Sequence, residues 1–169
     1  SSILYSKVVT WSKILNGINS IDSMREFGCN IGLNLSAIKK LKPDVQLSGI
    51  EINEKAAKQA SALNIADIKT GTILDKVSLP PVDLTFTAGV LIHINPTYLQ
   101  KVYENLVTNS KRYVLVAEYF NPSPITHIYR GHKDKLFKRD FAGELMDGYN
   151  LKLLDYSFVY SRDNAAPGD

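Results

Sequence analysis

Cysteine is almost absent: Cys29 is the only one in 169 residues. An intramolecular disulfide framework is therefore excluded, and the chain suits a reducing cytoplasm. Long apolar runs are missing too. Nothing approaches the roughly 18 consecutive residues of a membrane helix, and the first residues lack the basic and apolar regions of a secretory leader. The chain is expected to be cytoplasmic, with no membrane partner. Charge of one sign is equally scarce, since 20 Lys and Arg against 17 Asp and Glu leave a scattered net charge of +3. That is too little to mark a nucleic-acid partner or an acidic membrane surface. No internal repeat, low-complexity tract or linker-like shift occurs before residues 161–169. Residues 1–169 thus read as a single domain, with 44% hydrophobic residues to build one core. Self-association is left open by composition.

What is present is an alternation of strand and helix patterns. Residues 5–15 place Val8, Val9, Trp11, Ile14 and Leu15 at helical spacing, ended by Asn16-Gly17. Residues 21–27 read as a first strand. Arg25 is an awkward member, because a central parallel strand should be apolar on both faces, so it should pair with an acid or lie near an edge. A helix follows to about Lys42 and Pro43, then a strand over 45–50 that ends at Glu51. Asn53 can cap the next helix, whose Ala56, Ala57, Ala60 and Leu63 form a small-residue face. Residues 66–69 read as a weak third strand and 82–88 as a fourth. Asn95-Pro96 opens a helix with Leu99, Val102, Tyr103 and Leu106 at i, i+3, i+4 and i+7. Residues 113–117 make a fifth strand. Residues 121–138, with two prolines and no clear period, read as a long functional loop. Asp140 caps a short helix, and residues 151–160 read as a sixth strand. The alternation predicts an α/β fold with a Rossmann-like, doubly wound, mostly parallel sheet.

Such sheets bind ligands outside the carboxyl ends of their strands, where the strand order reverses. The residues expected at that edge are the loop Glu26-Phe-Gly-Cys-Asn-Ile-Gly32, Glu51 and Ile52, the turn holding Thr72 and Ile73, Ala88 to His93, and Glu118 with Tyr119. Gly28 and Gly32 suit a sharp turn beneath a nucleotide, since glycine accepts positive φ and close backbone approach. Glu51 stands 25 residues after Glu26, close to the offset at which an acid takes ribose hydroxyls. Asn30 occupies the middle glycine position of G-x-G-x-x-G and the third glycine is missing. Both disfavour a pyrophosphate cradle and leave a nucleoside without phosphates, of which S-adenosylmethionine is the common case. A nicotinamide-dependent oxidoreductase is weakened further by the absence of a Tyr-x-x-x-Lys pair after the fourth strand. Cys29 has no His or Cys at ligand spacing, so neither a metal nor a nucleophile is expected there. Phe27, Phe86 and Tyr113 read as core rather than as ligand contacts.

The stretches Glu26-Phe-Gly-Cys-Asn-Ile-Gly-Leu-Asn-Leu35, Gly49-Ile-Glu-Ile-Asn53, Gly89-Val-Leu-Ile-His-Ile-Asn-Pro96, Ala117-Glu-Tyr-Phe-Asn-Pro-Ser-Pro124 and Tyr129-Arg-Gly-His-Lys-Asp-Lys-Leu-Phe-Lys-Arg-Asp-Phe141 resemble class I S-adenosylmethionine-dependent methyltransferases. More narrowly, they resemble the bacterial methylases associated with pseudaminic acid biosynthesis. The resemblance covers about residues 5–162. It implies a seven-stranded sheet, S-adenosylmethionine as cofactor with S-adenosylhomocysteine as product, and a small-molecule acceptor related to nonulosonic sugars. The seventh strand of that fold runs antiparallel between the fifth and sixth. Polar residues 161–169 supply no such strand, so the sheet is expected to lack it or be cut short there.

Within this frame Glu26, Gly28, Asn30, Gly32, Glu51, Ile52, Thr72, Ile73 and Ala88 are the expected cofactor contacts. An acceptor hydroxyl needs its proton removed near the transition state. His93, Tyr119 and His132 are the residues placed to act on it, His93 being the histidine after the fourth strand. Glu118 and Arg130 are the expected substrate contacts, because a guanidinium matches the carboxylate or phosphate of an anionic sugar. His127 reads as an ordinary loop residue, and Lys133, Lys135, Lys138 and Arg139 as a solvated basic run. The alternative from another class is a noncatalytic module that keeps the nucleoside site within a sugar-pathway assembly.

Overall fold

The computed structural model describes residues 2–18, 20–129 and 134–165. Among these, β1 (Ser23–Phe27), β2 (Gln46–Glu51), β3 (Asp67–Thr70), β4 (Val82–Ala88) and β5 (Ser110–Ala117) form one parallel sheet in the order β3-β2-β1-β4-β5. The order reverses between β1 and β4, which opens a crevice at their carboxyl ends. The register sets Glu26 opposite Gly49 and Phe86, Glu51 opposite Thr70, and Ala88 opposite Ala117. The residues expected at the ligand edge thus share one edge.

Alternation along the strands builds a core on each face. Met24, Leu84 and Phe86 pack with Trp11 and Leu15 of α1 (Ser2–Asn16), Leu35 and Ile38 of α2 (Leu33–Leu41) and Ala60 of α3 (Glu54–Ala62). Phe27 and Ile50 pack on the other face with Leu99, Val102 and Leu106 of α4 (Leu99–Thr108) and Phe141 and Leu145 of α5 (Phe141–Tyr149). Phe27 and Phe86 are fully buried, and Tyr113 packs against the first of these cores, as expected of core aromatics. Helix starts are set by side chains, each accepting from an otherwise unpaired N–H: Asn53 from Ala56, Asn95 from Thr97 and Asp140 from Gly143.

Arg25 departs from both expectations. It lies on β1, the middle strand, is 5% exposed, and among the described residues has no acid partner. Its Nε donates to Ser48 Oγ (3.0 Å), Nη1 to Asn109 Oδ1 (3.2 Å) and Nη2 to the Pro80 carbonyl (3.0 Å). Neutral oxygens satisfy the fork of the guanidinium in place of a carboxylate.

Two further expectations are corrected. Residues 121–138 contain an antiparallel hairpin of β6 (Ile125–Tyr129) and β7 (Asp134–Lys138), pairing His127 with Leu136. Pro122 and Pro124 precede β6, where no ladder donor is needed, and so do not interrupt it. His127 is therefore a strand residue. Residues 151–160 form no strand; they have no regular secondary structure, with Leu154, Tyr156 and Phe158 exposed. Their alternation favours a strand, but a strand exists only when its backbone is paired.

Arg25→Ala leaves Asn109 and Ser48 without their donor and opens a buried void. It is expected to lower unfolding free energy by about 2–4 kcal/mol in denaturant titration. A loss within about 0.5 kcal/mol, the scale of a neutral surface substitution, would show that the network contributes nothing.

Candidate functional site

The loop joining β1 to α2 is shaped by positive φ at Gly28 (82°), Asn30 (48°) and Gly32 (84°). Gly28 also has a steric reason: a Cβ there would stand 2.7 Å from Val90 Cγ2. The loop thereby packs directly against the turn after β4. Its backbone donors are largely engaged within the protein. The N–H groups of Gly28 and Cys29 both donate to the Ile50 carbonyl (2.8 and 3.0 Å), and that of Gly32 donates to the Cys29 carbonyl (2.9 Å). The N–H of Asn30 donates to Glu51 Oε2 (2.8 Å). A pyrophosphate cradle requires such groups to point at the ligand. This loop turns four of them inward.

Two buried carboxylates stand at the carboxyl ends of β1 and β2. Glu51, at the end of β2, is 9% exposed and accepts from Asn30 N–H through Oε2 and from Asn53 N–H through Oε1 (2.8 Å). Each oxygen keeps a further lone-pair direction. Glu26 is 1% exposed; its Oε1 accepts from Asn34 Nδ2 at 2.6 Å, while among the described residues Oε2 has no hydrogen-bond partner. Burial pushes the Glu26 carboxyl up to about 7, and Glu51 adds to the rise, against the opposing pull of Asn34 and Lys7. Beside them the Ile52 side chain is 68% exposed, an apolar platform at the crevice mouth. Cys29 is buried, its Sγ close over Gly49, and burial with the neighbouring Glu26 and Glu51 pushes its thiol up to about 12. An inert thiol is the result.

The far side of the crevice follows β4. Ala88 ends the strand, Gly89 donates to the Ala117 carbonyl (3.0 Å), and a 3-10 turn spans Leu91–His93. Glu118 Oε1 accepts from the N–H groups of Val90 (3.0 Å) and Leu91 (3.1 Å). It braces the turn that meets Gly28, and burial raises its carboxyl above the ordinary value, with those two N–H groups opposing. Among the described residues its Oε2 lacks a hydrogen-bond partner. His93 is exposed at the end of the turn. Tyr119 is partly buried, with Lys138 Nζ 5.2 Å from its ring centre, which ties the hairpin to the end of β5. Thr72 and Ile73 follow β3; Thr72 Oγ1 accepts from Leu74 N–H, and the Ile73 carbonyl accepts from Asn105 Nδ2. Arg130 and His132 lie outside the described residues.

Two side chains that shape this edge escape sequence reasoning. Asn34, the second residue of α2, fixes Glu26. Asn105, on α4, gathers the 73–77 turn through the Ile73 and Asp75 carbonyls and the Val77 N–H. The available signal was a polar residue between apolar positions of a helix, which carries meaning only once the sheet is assembled. Among the described residues no group of acids, histidines or cysteines could hold a metal ion, and no helix is long and apolar enough to cross a membrane.

No family model and no curated protein matches the sequence. Solved structures do match. The plantazolicin methyltransferase BpumL in complex with SAH is 21% identical over 70% of this chain and 47% of its own length, with a TM-score of 0.56. The O-methyltransferase from a trans-AT PKS multienzyme of Brevibacillus brevis, in complex with S-adenosyl-L-homocysteine, is 14% identical over 81% and 47%, with a TM-score of 0.62. The sugar N-methyltransferase KedS8 from Streptoalloteichus sp ATCC 53650 is 10% identical over 76% and 57%, with a TM-score of 0.60. The chain therefore has the Rossmann-like fold of these methyltransferases, and it spans about half the length of each. The likeness at such identities is one of fold.

Glu26 makes stability depend on pH. Its folded value near 7 stands above the ordinary 4.5, so between those values the folded chain holds more proton than the unfolded one. Stability falls as pH rises through that window and then levels off, by on the order of 3 kcal/mol. Glu26→Gln is expected to match the parent near pH 4 and to exceed it in stability at pH 8. Glu118 is present in both proteins and cancels in the comparison. Parallel stability curves for the two proteins across that range would contradict the assignment.

Proposed function

We propose that this chain binds S-adenosylmethionine at the carboxyl edge of β1, β2 and β4 and transfers its methyl group to a small acceptor. The observation that carries the reading is the pairing of two buried carboxylates with a glycine loop whose backbone N–H groups are already engaged. An anionic pyrophosphate would meet negative charge and few donors; a phosphate-free nucleoside with a cationic end meets the opposite. Glu26 Oε2, buried and unpartnered, fits an ammonium group, and a cation beside it would draw the carboxyl back to its ionised form. Glu51 has the lone pairs to accept from ribose hydroxyls while it continues to hold Asn30 and Asn53. Ile52 presents an exposed apolar face suited to an aromatic base, with Thr72, Ile73 and Ala88 along the same edge. Gly28 and Gly32 shape the floor, and Asn30 supplies its bend.

When bound, the cofactor supplies an electrophilic methyl group, so the protein's part is alignment and proton handling. His93, exposed at the end of the turn after β4, is the residue we assign to accept a proton from the acceptor hydroxyl. Tyr119 lines the same side, and Arg130 and His132 are assigned to the acceptor from sequence alone. The acceptor we propose is a sugar of the nonulosonic, pseudaminic acid type, supported by the resemblance over 117–124 and 129–141.

Calorimetric titration of S-adenosylhomocysteine into Glu51→Ala and its parent tests the site. The variant is expected to bind about 1–3 kcal/mol more weakly, the scale of hydrogen bonds to a charged group. Equal affinities would remove Glu51 from the ribose. Methylation of a nonulosonic-pathway sugar tests the reaction; binding without transfer to any such sugar would assign the chain to noncatalytic nucleoside binding.

A further inference from the structure

The buried carboxylate of Glu26 is reached from the N-terminal helix through a two-step hydrogen-bond chain. Trp11, 2% exposed on α1, donates its indole N–H to Asn34 Oδ1 at 3.1 Å, and Asn34 Nδ2 donates to Glu26 Oε1 at 2.6 Å. The direction of this chain is dictated by chemistry. An indole nitrogen can only donate, so it must face the oxygen of the amide. The opposite end, the amide nitrogen, is then turned to the carboxylate. Without the indole N–H the amide could turn its oxygen to Glu26, an orientation that favours the protonated carboxyl, which can donate to it, over the ionised one. The indole is itself held in place, with its ring edge-on to Phe86 at 4.8 Å and 67°.

We infer that Trp11 is a positioning residue for the ligand site: its N–H selects the orientation of the Asn34 amide, which fixes Glu26 with its second oxygen left open. The relevance to cofactor binding rests on the reading of Glu26 given above, whereas the relay itself does not. Helix α1 thereby has a defined electrostatic link to the crevice. The other groups that act on Glu26 are Lys7 from the same helix, which favours its ionised form, and Glu51 at the end of β2, which opposes it. Cys29 in the loop below stays a neutral thiol and adds no charge. Asn34 contributes on the same side as Lys7, so loss of its donated hydrogen bond should raise the titration midpoint of Glu26.

The sequence contains one tryptophan, which permits a clean test. Expression with β-(3-benzothienyl)alanine in place of tryptophan replaces the indole N–H by sulfur at this site alone and keeps the ring shape. The Glu26 carboxyl is followed by carbon-13 NMR in ligand-free protein, with Glu26→Gln to assign its signal. The midpoint is expected to rise by about half a pH unit or more. At neutral pH, S-adenosylhomocysteine should bind roughly three- to tenfold more weakly, with the gap narrowing as the buffer becomes alkaline. An unmoved midpoint in folded protein overturns the relay, and affinity lost equally at every pH with that midpoint unmoved reduces Trp11 to packing. If the parent fails to bind S-adenosylhomocysteine, the cofactor reading falls while the Glu26 titration still decides the relay. Trp11→Phe gives a second measurement of the same midpoint should the analogue protein fold poorly.

Discussion

The carboxylate of Glu51 is the contact on which the crevice depends. One oxygen takes the N–H of Asn30 in the loop after β1, the other the N–H of Asn53 at the start of α3, each at 2.8 Å. It therefore ties the loops after two adjacent strands to one point, and it does so with a charge-assisted bond on each side. The same contact holds Asn30 in a left-handed conformation that a non-glycine residue adopts only with support from its surroundings. It also removes a backbone donor that a phosphate would need. Local structure, and in the proposed reading the ligand class, thus follow from a single side chain.

Glu26 supplies the counterpart, and its position is costly to the fold. A carboxylate 1% exposed with one unpartnered oxygen lowers stability when ionised. Such groups persist where a ligand repays the desolvation, which is why strongly shifted acids concentrate in binding clefts. Asn34 and Trp11 on one side and Val90 with Glu118 on the other hold the surrounding loops, so the open oxygen of Glu26 stands within a rigid frame. Binding charge to that oxygen is the step by which structure becomes function in the proposed reading.

Much of the frame was legible in the sequence because the signals were local. Asn53, Asn95 and Asp140 cap helices as their spacing predicts, and Gly28 and Gly32 adopt the positive φ expected of them. What failed was non-local. Arg25 was expected to find an acid or an edge, whereas Ser48, Asn109 and Pro80 satisfy it from three separate elements. The 125–138 hairpin was hidden by prolines that lie just ahead of it. Residues 151–160 have strand-like alternation, yet pairing is a property of two segments and cannot be read from one. Glu118 directly follows β5, as its position in the sequence predicts, but its role as a brace depends on where the Val90 and Leu91 backbone lies. Asn34 carries no local signal, because its importance comes from Trp11 and Glu26, at distances along the chain that no local pattern spans.

In the proposed reading this crevice selects a phosphate-free nucleoside with a cationic end. Calorimetric titration of S-adenosylmethionine and of NAD into the same protein at neutral pH tests it most directly. Saturable binding of S-adenosylmethionine and no measurable heat from NAD are expected. Binding of NAD as tightly as S-adenosylmethionine, or more tightly, would contradict it.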